Sequence, residues 1–327
     1  MKRGEFVALL AAAAAWPSAM RAQQSRSIPR LCFLTFDPGT LQTTRFDAFF
    51  QALRGLGYAD GQTIAIDYLS ADGRDERFPA LAAECLRLKA DVIAVSTTPG
   101  AEAAKAATRT IPIVMLQLGD PVGTGLVDSL VKAGGNVTGM TQVSSELAAK
   151  RLELLKEAVP GLSRVLVLSY AIDPIAPLQV KALKEAARSL GVMLQIQNIG
   201  AVDDLAPAFD AGARERADGL LTTVGSIFVS YRARVTELAA QYRLPAMYTN
   251  LLQVTDVPGL MVYQPNLDDL YKQAATYIDR ILKGAKPSDL PIQQPTKFTL
   301  VVNLKTAKAI GLTIPESFLR RADELIQ

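Results

Sequence analysis

Asp91-Val-Ile-Ala-Val-Ser-Thr-Thr-Pro-Gly100, followed by an Ala-rich run over residues 101–108 and by Ile111-Pro-Ile-Val-Met-Leu116, reads as strand, hydroxyl-rich loop, helix and second strand. The two apolar runs are short and rich in β-branched residues, which suits strands rather than helices. Strand, helix and returning strand make a βαβ unit, and a succession of such units predicts a mostly parallel sheet covered by helices on both faces.

The same alternation extends in both directions. Upstream, Leu31-Cys-Phe-Leu-Thr-Phe36 is a continuous apolar strand run. Residues 45–57 carry helical spacing through Phe46, Phe49, Phe50, Leu53 and Leu56 and close on a glycine. Residues 63–68 alternate as a strand, and 78–89 are helical. Downstream, a helix is predicted over 125–132 and a short strand over 137–140. After a helix over 147–159, a second series begins. Its strands are predicted at 164–169, 193–197, 219–223 and 260–263, with helices at 178–190, 205–217 and 230–242. This region repeats the architecture of the first without a visible sequence repeat. Two doubly wound α/β lobes place a ligand between them, because strand C-terminal ends and helix N-termini of both can face one cleft.

A chain of 327 residues, 49% hydrophobic and 20% charged, can bury one large core or two ordinary ones. It has no histidine, which removes Ser-His-Asp and Cys-His nucleophilic sites and His-ligated zinc together. Its two cysteines, Cys32 and Cys85, are too few for a disulfide scaffold or a four-cysteine metal site. Both read as buried small hydrophobes, with a single disulfide left open. No cofactor and no metal are expected. The formal charge is +3, of which residues 1–22 contribute +2 through Lys2, Arg3 and Arg21 against Glu5, leaving +1. A nearly neutral body with scattered basic residues argues against a nucleic-acid partner.

Residues 1–22 combine a basic start, a short apolar run ending at Trp16 and a small-residue approach to Ala22-Gln23, the pattern of a secretory signal peptide. The run is shorter than the ~20 apolar residues a membrane span requires. Export to the periplasm is expected, by the Sec or the Tat route.

Ligand contacts in such sheets come from loops at strand C-terminal ends. In the first lobe these hold Thr35, Phe36, Ser96, Thr97, Thr98 and Asp120; in the second, Tyr170, Thr223, Gly225, Ser226, Tyr248, Asn250 and Tyr263. Hydroxyls and amides suit a small polar ligand, although Ser, Thr and Asp at such places also serve as helix caps and turn formers. The strongest segment is Ser96 to Gly100, where small hydroxylated residues precede a helix whose first N–H groups can hold a carboxylate. Phe36, Tyr170, Tyr248 and Tyr263 offer aromatic faces for an apolar ligand body. Gly119-Asp-Pro-Val-Gly-Thr-Gly has neither the Gly-Lys-Ser/Thr ending of a P-loop nor dinucleotide-motif spacing. The helix over 147–159, with Lys150, Arg151, Glu153, Lys156 and Glu157, reads as a solvated amphipathic surface, and Tyr271 and Tyr277 as packing residues.

Several segments together resemble the substrate-binding proteins of bacterial ABC transporters, in the group related to tryptophan- and tyrosine-binding components. They are Thr97-Thr-Pro-Gly-Ala, Gly119-Asp-Pro-Val-Gly-Thr-Gly-Leu-Val, Gly134-Gly-Asn-Val-Thr-Gly, Arg151-Leu-Glu-Leu-Leu-Lys-Glu, Leu290-Pro-Ile-Gln-Gln-Pro-Thr-Lys-Phe and Val302-Asn-Leu-Lys-Thr-Ala-Lys-Ala-Ile-Gly-Leu. The resemblance implies the type I periplasmic-binding-protein fold: two Rossmann-like lobes joined by a three-crossover hinge, an N-terminal lobe of residues 28–142 and 266–292 and a C-terminal lobe of residues 143–265 and 293–327. It also implies a monomer that closes on a small molecule and docks to an ABC permease in the inner membrane. Family ligand contacts carry over to Thr35, Phe36, Thr97, Thr98 and Asp120. The second lobe departs from the pattern: where amino-acid-binding relatives have an acidic residue, this chain has Gly225 and Ser226. A buried ammonium needs a carboxylate partner, which leaves Asp120 or Asp173 to supply it, or an amine-free acid as ligand. Two other functions fit the same architecture, a receptor feeding a sensor protein and an exported enzyme using Asp120 with a second carboxylate.

Overall fold

The computed structural model describes residues 28–37, 44–131 and 134–327. The signal peptide expected over residues 1–22 lies outside the described residues. Five strands form the first sheet: β1 (Arg30–Thr35), β2 (Ala65–Ser70), β3 (Val92–Val95), β4 (Ile113–Leu118) and β5 (Val137–Thr141). Their order is β2-β1-β3-β4-β5, with every pairing parallel. β3 and β4 are buried throughout and β1 nearly so, as their uninterrupted apolar runs require, whereas the edge strand β2 is only half-buried along its alternating sequence.

Helices cover both faces of this sheet. On one, Asp47–Gly55 and Leu267–Leu282 pack Phe46, Phe49, Leu270, Tyr271 and Ala274 around Phe33. On the other lie Phe78–Arg87 and Thr98–Ala107. There Cys85 forms a disulfide with Cys32 of β1, their Cα atoms 5.7 Å apart, so the alternative left open by the sequence resolves to a bond.

The second sheet contains β6 (Arg164–Tyr170), β7 (Met193–Ile199), β8 (Gly219–Thr222), β9 (Ala246–Tyr248), β10 (Met261–Pro265), β11 (Phe298–Asn303) and β12 (Glu324–Ile326). Its order is β12-β11-β10-β9-β8-β6-β7, parallel except where β11 runs against β10. β9, β11 and β12 are not among the strands predicted from periodicity; β9 and β12 have three residues each, too few to carry a pattern. The chain passes between the sheets at Gln142-Val143, at Asn266 and again beyond Pro291. Val143 is a β-branched residue at φ +47°, a strained conformation. The backbone of Gln293 runs beside the first passage, exchanging hydrogen bonds with Gly139 and Thr141 at 3.0 and 2.9 Å. Among the described residues no helix is long and apolar enough to cross a membrane.

Three local expectations are corrected. The predicted helix over 125–132 is a series of turns through residue 131, because Asp120 Oδ1 accepts the Gly123 N–H at 2.9 Å and Gly125 adopts φ +73°. The predicted helix over 230–242 is broken at Tyr231 into Ser226–Ser230 and Arg232–Gln241. The helix Ser144–Ala158 is not a solvated surface: Leu152, Leu155 and Ala158 are buried against the second sheet. Arg151 is fully buried beside them. Its Nε donates to the Tyr263 carbonyl at 2.7 Å, and burial pulls its guanidinium down to about 9. Periodicity identifies the helix but not how many neighbours cover it.

The Cys32–Cys85 bond spans 53 residues of sequence, and closing a loop of that length stabilises a fold by roughly 4 kcal/mol in the chain-entropy description. Reduction with dithiothreitol, or the double change Cys32→Ala and Cys85→Ala, should therefore lower the thermal midpoint by several degrees in differential scanning calorimetry. An unchanged midpoint would show that the bond contributes nothing to stability.

Candidate functional site

In each sheet the order of connection reverses beside the first strand of its series, between β1 and β3 in one and between β6 and β8 in the other. A reversal of this kind leaves a crevice at the strand C-terminal ends. The two crevices face each other across a shared cavity. Arg45, Ser96, Thr97, Thr98 and Gln117 wall it from the first lobe; Asp173, Gly225, Ser226, Thr249 and Asn250 wall it from the second. Gln142, at the first passage between the sheets, lies at its back. The apolar part of the wall is Leu118, Val224 and Val229.

Local chemistry explains why these loops hold their shape. Thr97 sits in extended backbone, and its Oγ1 accepts the Gly100 N–H at 3.2 Å, capping the helix Thr98–Ala107. Buried glutamines fix the loops of the second lobe: Gln179 Oε1 accepts the Val224 N–H at 2.8 Å, and Gln253 Oε1 accepts those of Thr249 and Asn250 at 3.3 and 3.1 Å. Each such amide satisfies backbone groups that a loop cannot pair with itself.

The lobes touch through polar and aromatic contacts. The Tyr170 hydroxyl donates to Asp75, and the Ser230 hydroxyl donates to Asp37, which is also held by the buried guanidinium of Arg45. The rings of Phe36 and Tyr170 meet edge to face, 6.3 Å between centroids. Burial raises the Asp75 carboxyl above the ordinary range, opposed by the hydrogen bond from Tyr170. Burial likewise pushes Asp173 up to about 7; the Ile175 N–H and the Thr98 hydroxyl oppose the shift, while Asp75 and Glu102 add to it.

Of the loop residues singled out from sequence, Ser96, Thr97, Thr98, Gly225, Ser226 and Asn250 line this cavity. The others lie elsewhere. Thr35 is buried at the end of β1. Phe36 and Tyr170 spend their rings on each other and, for Tyr170, on Phe228. Thr223 accepts the Tyr170 N–H through Oγ1 at 3.1 Å. Tyr248 is 1% exposed, within the core of the second lobe, and Tyr263 stacks on Phe298 at 5.9 Å. Asp120 borders a separate pocket with Asp128 and Glu146. The aromatic faces expected for a ligand are thus engaged in packing.

Arg45, Gln117 and Gln142 escaped the sequence analysis. Two of them left a signal. A cation at the start of a helix opposes the helix dipole unless an anion accompanies it, and Gln117 interrupts an otherwise apolar, fully buried strand.

The chain belongs to the ABC transporter substrate binding protein family, whose model matches residues 38–326. It is 28% identical over 264 residues to a tyrosine-binding protein of Clostridioides difficile (strain R20291), covering 81% of this chain and 75% of that one. Among solved structures it resembles an ABC domain in complex with L-Trp from Streptococcus pneumonia, at 25% identity and a TM-score of 0.84, with 92% of this chain and 100% of that one covered. A ligand-free, open substrate binding protein with adhesive properties from Clostridium difficile aligns at 26% identity over 92% and 99% of the chains with a TM-score of 0.64. At similar identity the score is lower against that open form, and in the present structure the two lobes touch. The fold is that of the type I periplasmic binding proteins.

The contact between Tyr170 and Asp75 ties one lobe to the other, and a hydrogen bond to a charged acceptor contributes about 1.5–3 kcal/mol. Tyr170→Phe should therefore shift the ligand-free protein toward an open form, read as a larger radius of gyration in small-angle X-ray scattering. An unchanged radius would show that this contact does not hold the lobes together.

Proposed function

We propose that this protein is the periplasmic solute-binding component of an ABC importer, and that the cavity between its lobes takes a small carboxylate-bearing molecule with an aromatic or otherwise amphipathic body. The observation that carries this reading is a cavity walled by hydroxyls and amides of both lobes and shut where the lobes meet. A carboxylate fits beside Ser96, Thr97 and Thr98 at the N-terminus of the helix Thr98–Ala107, where the helix dipole favours negative charge. The apolar body lies along Leu118, Val224 and Val229. A ligand that touches both walls stabilises the closed form over the open one, and the closed form is what a permease recognises. The names of the relatives support an aromatic amino acid or a related acid. Paired acid–base catalysis finds no support, since Asp173 is the single carboxylate in the wall of this cavity among the described residues.

A thermal-shift screen of protein unfolded and refolded to strip bound ligand tests the reading, with aromatic amino acids, aromatic acids and small dicarboxylates as probes. A ligand specific to the native state adds ~2.7 kcal/mol at a hundredfold excess over Kd, so a clear rise in midpoint is expected with at least one probe. Thr98→Ala should weaken that ligand roughly tenfold, the loss of one hydrogen bond of about 1–1.5 kcal/mol. Asp120→Ala, outside the cavity, should leave the affinity unchanged. No shift with any probe would remove the cavity as the binding site.

A further inference from the structure

We propose that Asp173 is the receptor for a ligand ammonium group, and hence that this protein selects amine-bearing carboxylic acids over their amine-free analogues. The inference rests on the cavity between the lobes being the ligand site.

Asp173 stands on the turn between β6 and the helix Ala176–Leu190 and is 5% exposed. Backbone bonds fix that turn: its N–H donates to the Tyr170 carbonyl at 3.1 Å, and its own carbonyl accepts the Ala176 N–H at 2.9 Å. Its side chain accepts the Ile175 N–H at 3.1 Å through Oδ1 and faces the Thr98 hydroxyl across the cleft. Among the described residues no lysine or arginine forms an ion pair with it. The one cation in the same wall, Arg45, is engaged by Asp37. The other charges that face it, Asp75 from the segment after β2 and Glu102 from the helix Thr98–Ala107, are both negative. A carboxylate ionised here is buried without a counter-charge, which costs several kcal/mol unless a partner supplies one. A ligand ammonium is a partner of the right sign and size, delivered only when the cavity is filled.

Among the described residues Asp173 is the single carboxylate in that wall. A side chain at Gly225 has no room, because an added Cβ would stand 2.7 Å from the Tyr170 Cβ. Tyr170 is itself pinned by Thr223 and Asp75, so it cannot move aside without loosening the contact between lobes. Asp120 is outside the cavity and already accepts a backbone N–H. Tyr170 occupies the space a side chain at Gly225 would need, and the charge comes from the loop that carries Tyr170.

The sign of the pH dependence follows. With Asp173 raised to about 7, an ammonium must displace a proton below that pH, so affinity for an amine-bearing ligand should fall as the pH drops through 7. A neutral Asp173 donating its proton to an amine-free ligand would give the opposite slope. Asp75 also titrates from a raised position, and the comparison with a variant at Asp173 separates the two.

The test is isothermal titration calorimetry on the refolded wild-type chain with L-tyrosine and L-tryptophan, each paired with its deaminated analogue, hydroxyphenylpropanoic acid and indolepropanoic acid. The expected result is a preference of about 100-fold or more for an amine-bearing probe, an affinity for it that falls between about pH 8 and about pH 6, and loss of both preference and pH slope in Asp173→Asn while the analogue still binds. Equal binding of acid and amino acid by the wild type would overturn the proposal while leaving the cavity as the ligand site. A preference that survives in Asp173→Asn would overturn it as well. Binding of none of the four probes would overturn the proposal, and silence across the whole thermal-shift screen would overturn the cavity as the ligand site as well. Should Asp173→Asn not fold, the wild-type pH profile decides: a flat or rising affinity toward low pH refutes the ammonium contact.

Discussion

A parallel sheet buried on both faces cannot present polar side chains along its strands without orphaning them in a core. Every group able to recognise a polar molecule is therefore driven to the strand ends. In this protein two such sheets point those ends at one another, and the remaining features follow from that. The hydroxyls of Ser96, Thr97 and Thr98, the backbone at Gly225 and the amide of Asn250 share one cavity because each follows a strand whose length is apolar. The loops hold still because buried glutamines reach out of neighbouring helices to satisfy them.

Crowding polar groups between closing lobes creates a second constraint, the burial of acids. Asp37, Asp75 and Asp173 all lie at the lobe boundary and are 8%, 8% and 5% exposed. Each meets a different partner. Asp37 takes the Arg45 guanidinium and the Ser230 hydroxyl, Asp75 takes the Tyr170 hydroxyl, and Asp173 has only dipoles, from the Ile175 N–H and Thr98. The first two bind lobe to lobe and the third faces the cavity. Structure and recognition thus use the same residue type, distinguished by whether the protein provides the countering group.

Closure also decides the fate of the aromatic side chains. Phe36 and Tyr170 are drawn from opposite lobes into a shared apolar cluster that includes Phe228. The same packing leaves Gly225 no room for a side chain. Gly225, which in sequence reads as a missing binding group, is in three dimensions the complement of Tyr170 at the lobe boundary.

The sequence by itself determined the α/β class, the two series of strands and helices and the loops where ligand chemistry gathers. These are local properties, written in periods of 2 and 3.6 residues and in the hydroxylated residues that end strands. Six of the residues chosen on that basis, from Ser96 to Asn250, line the cavity. Only the tertiary structure decided the rest. It brought Cys32 to Cys85, buried Arg151 beneath the second sheet, turned Tyr248 into core, stacked Tyr263 on Phe298 and placed Asp120 outside the cavity and Asp173 within it. The reason is physical: a residue's type and spacing state what it can bond to, but which partner it meets depends on contacts far apart in the chain, set here when the two lobes close.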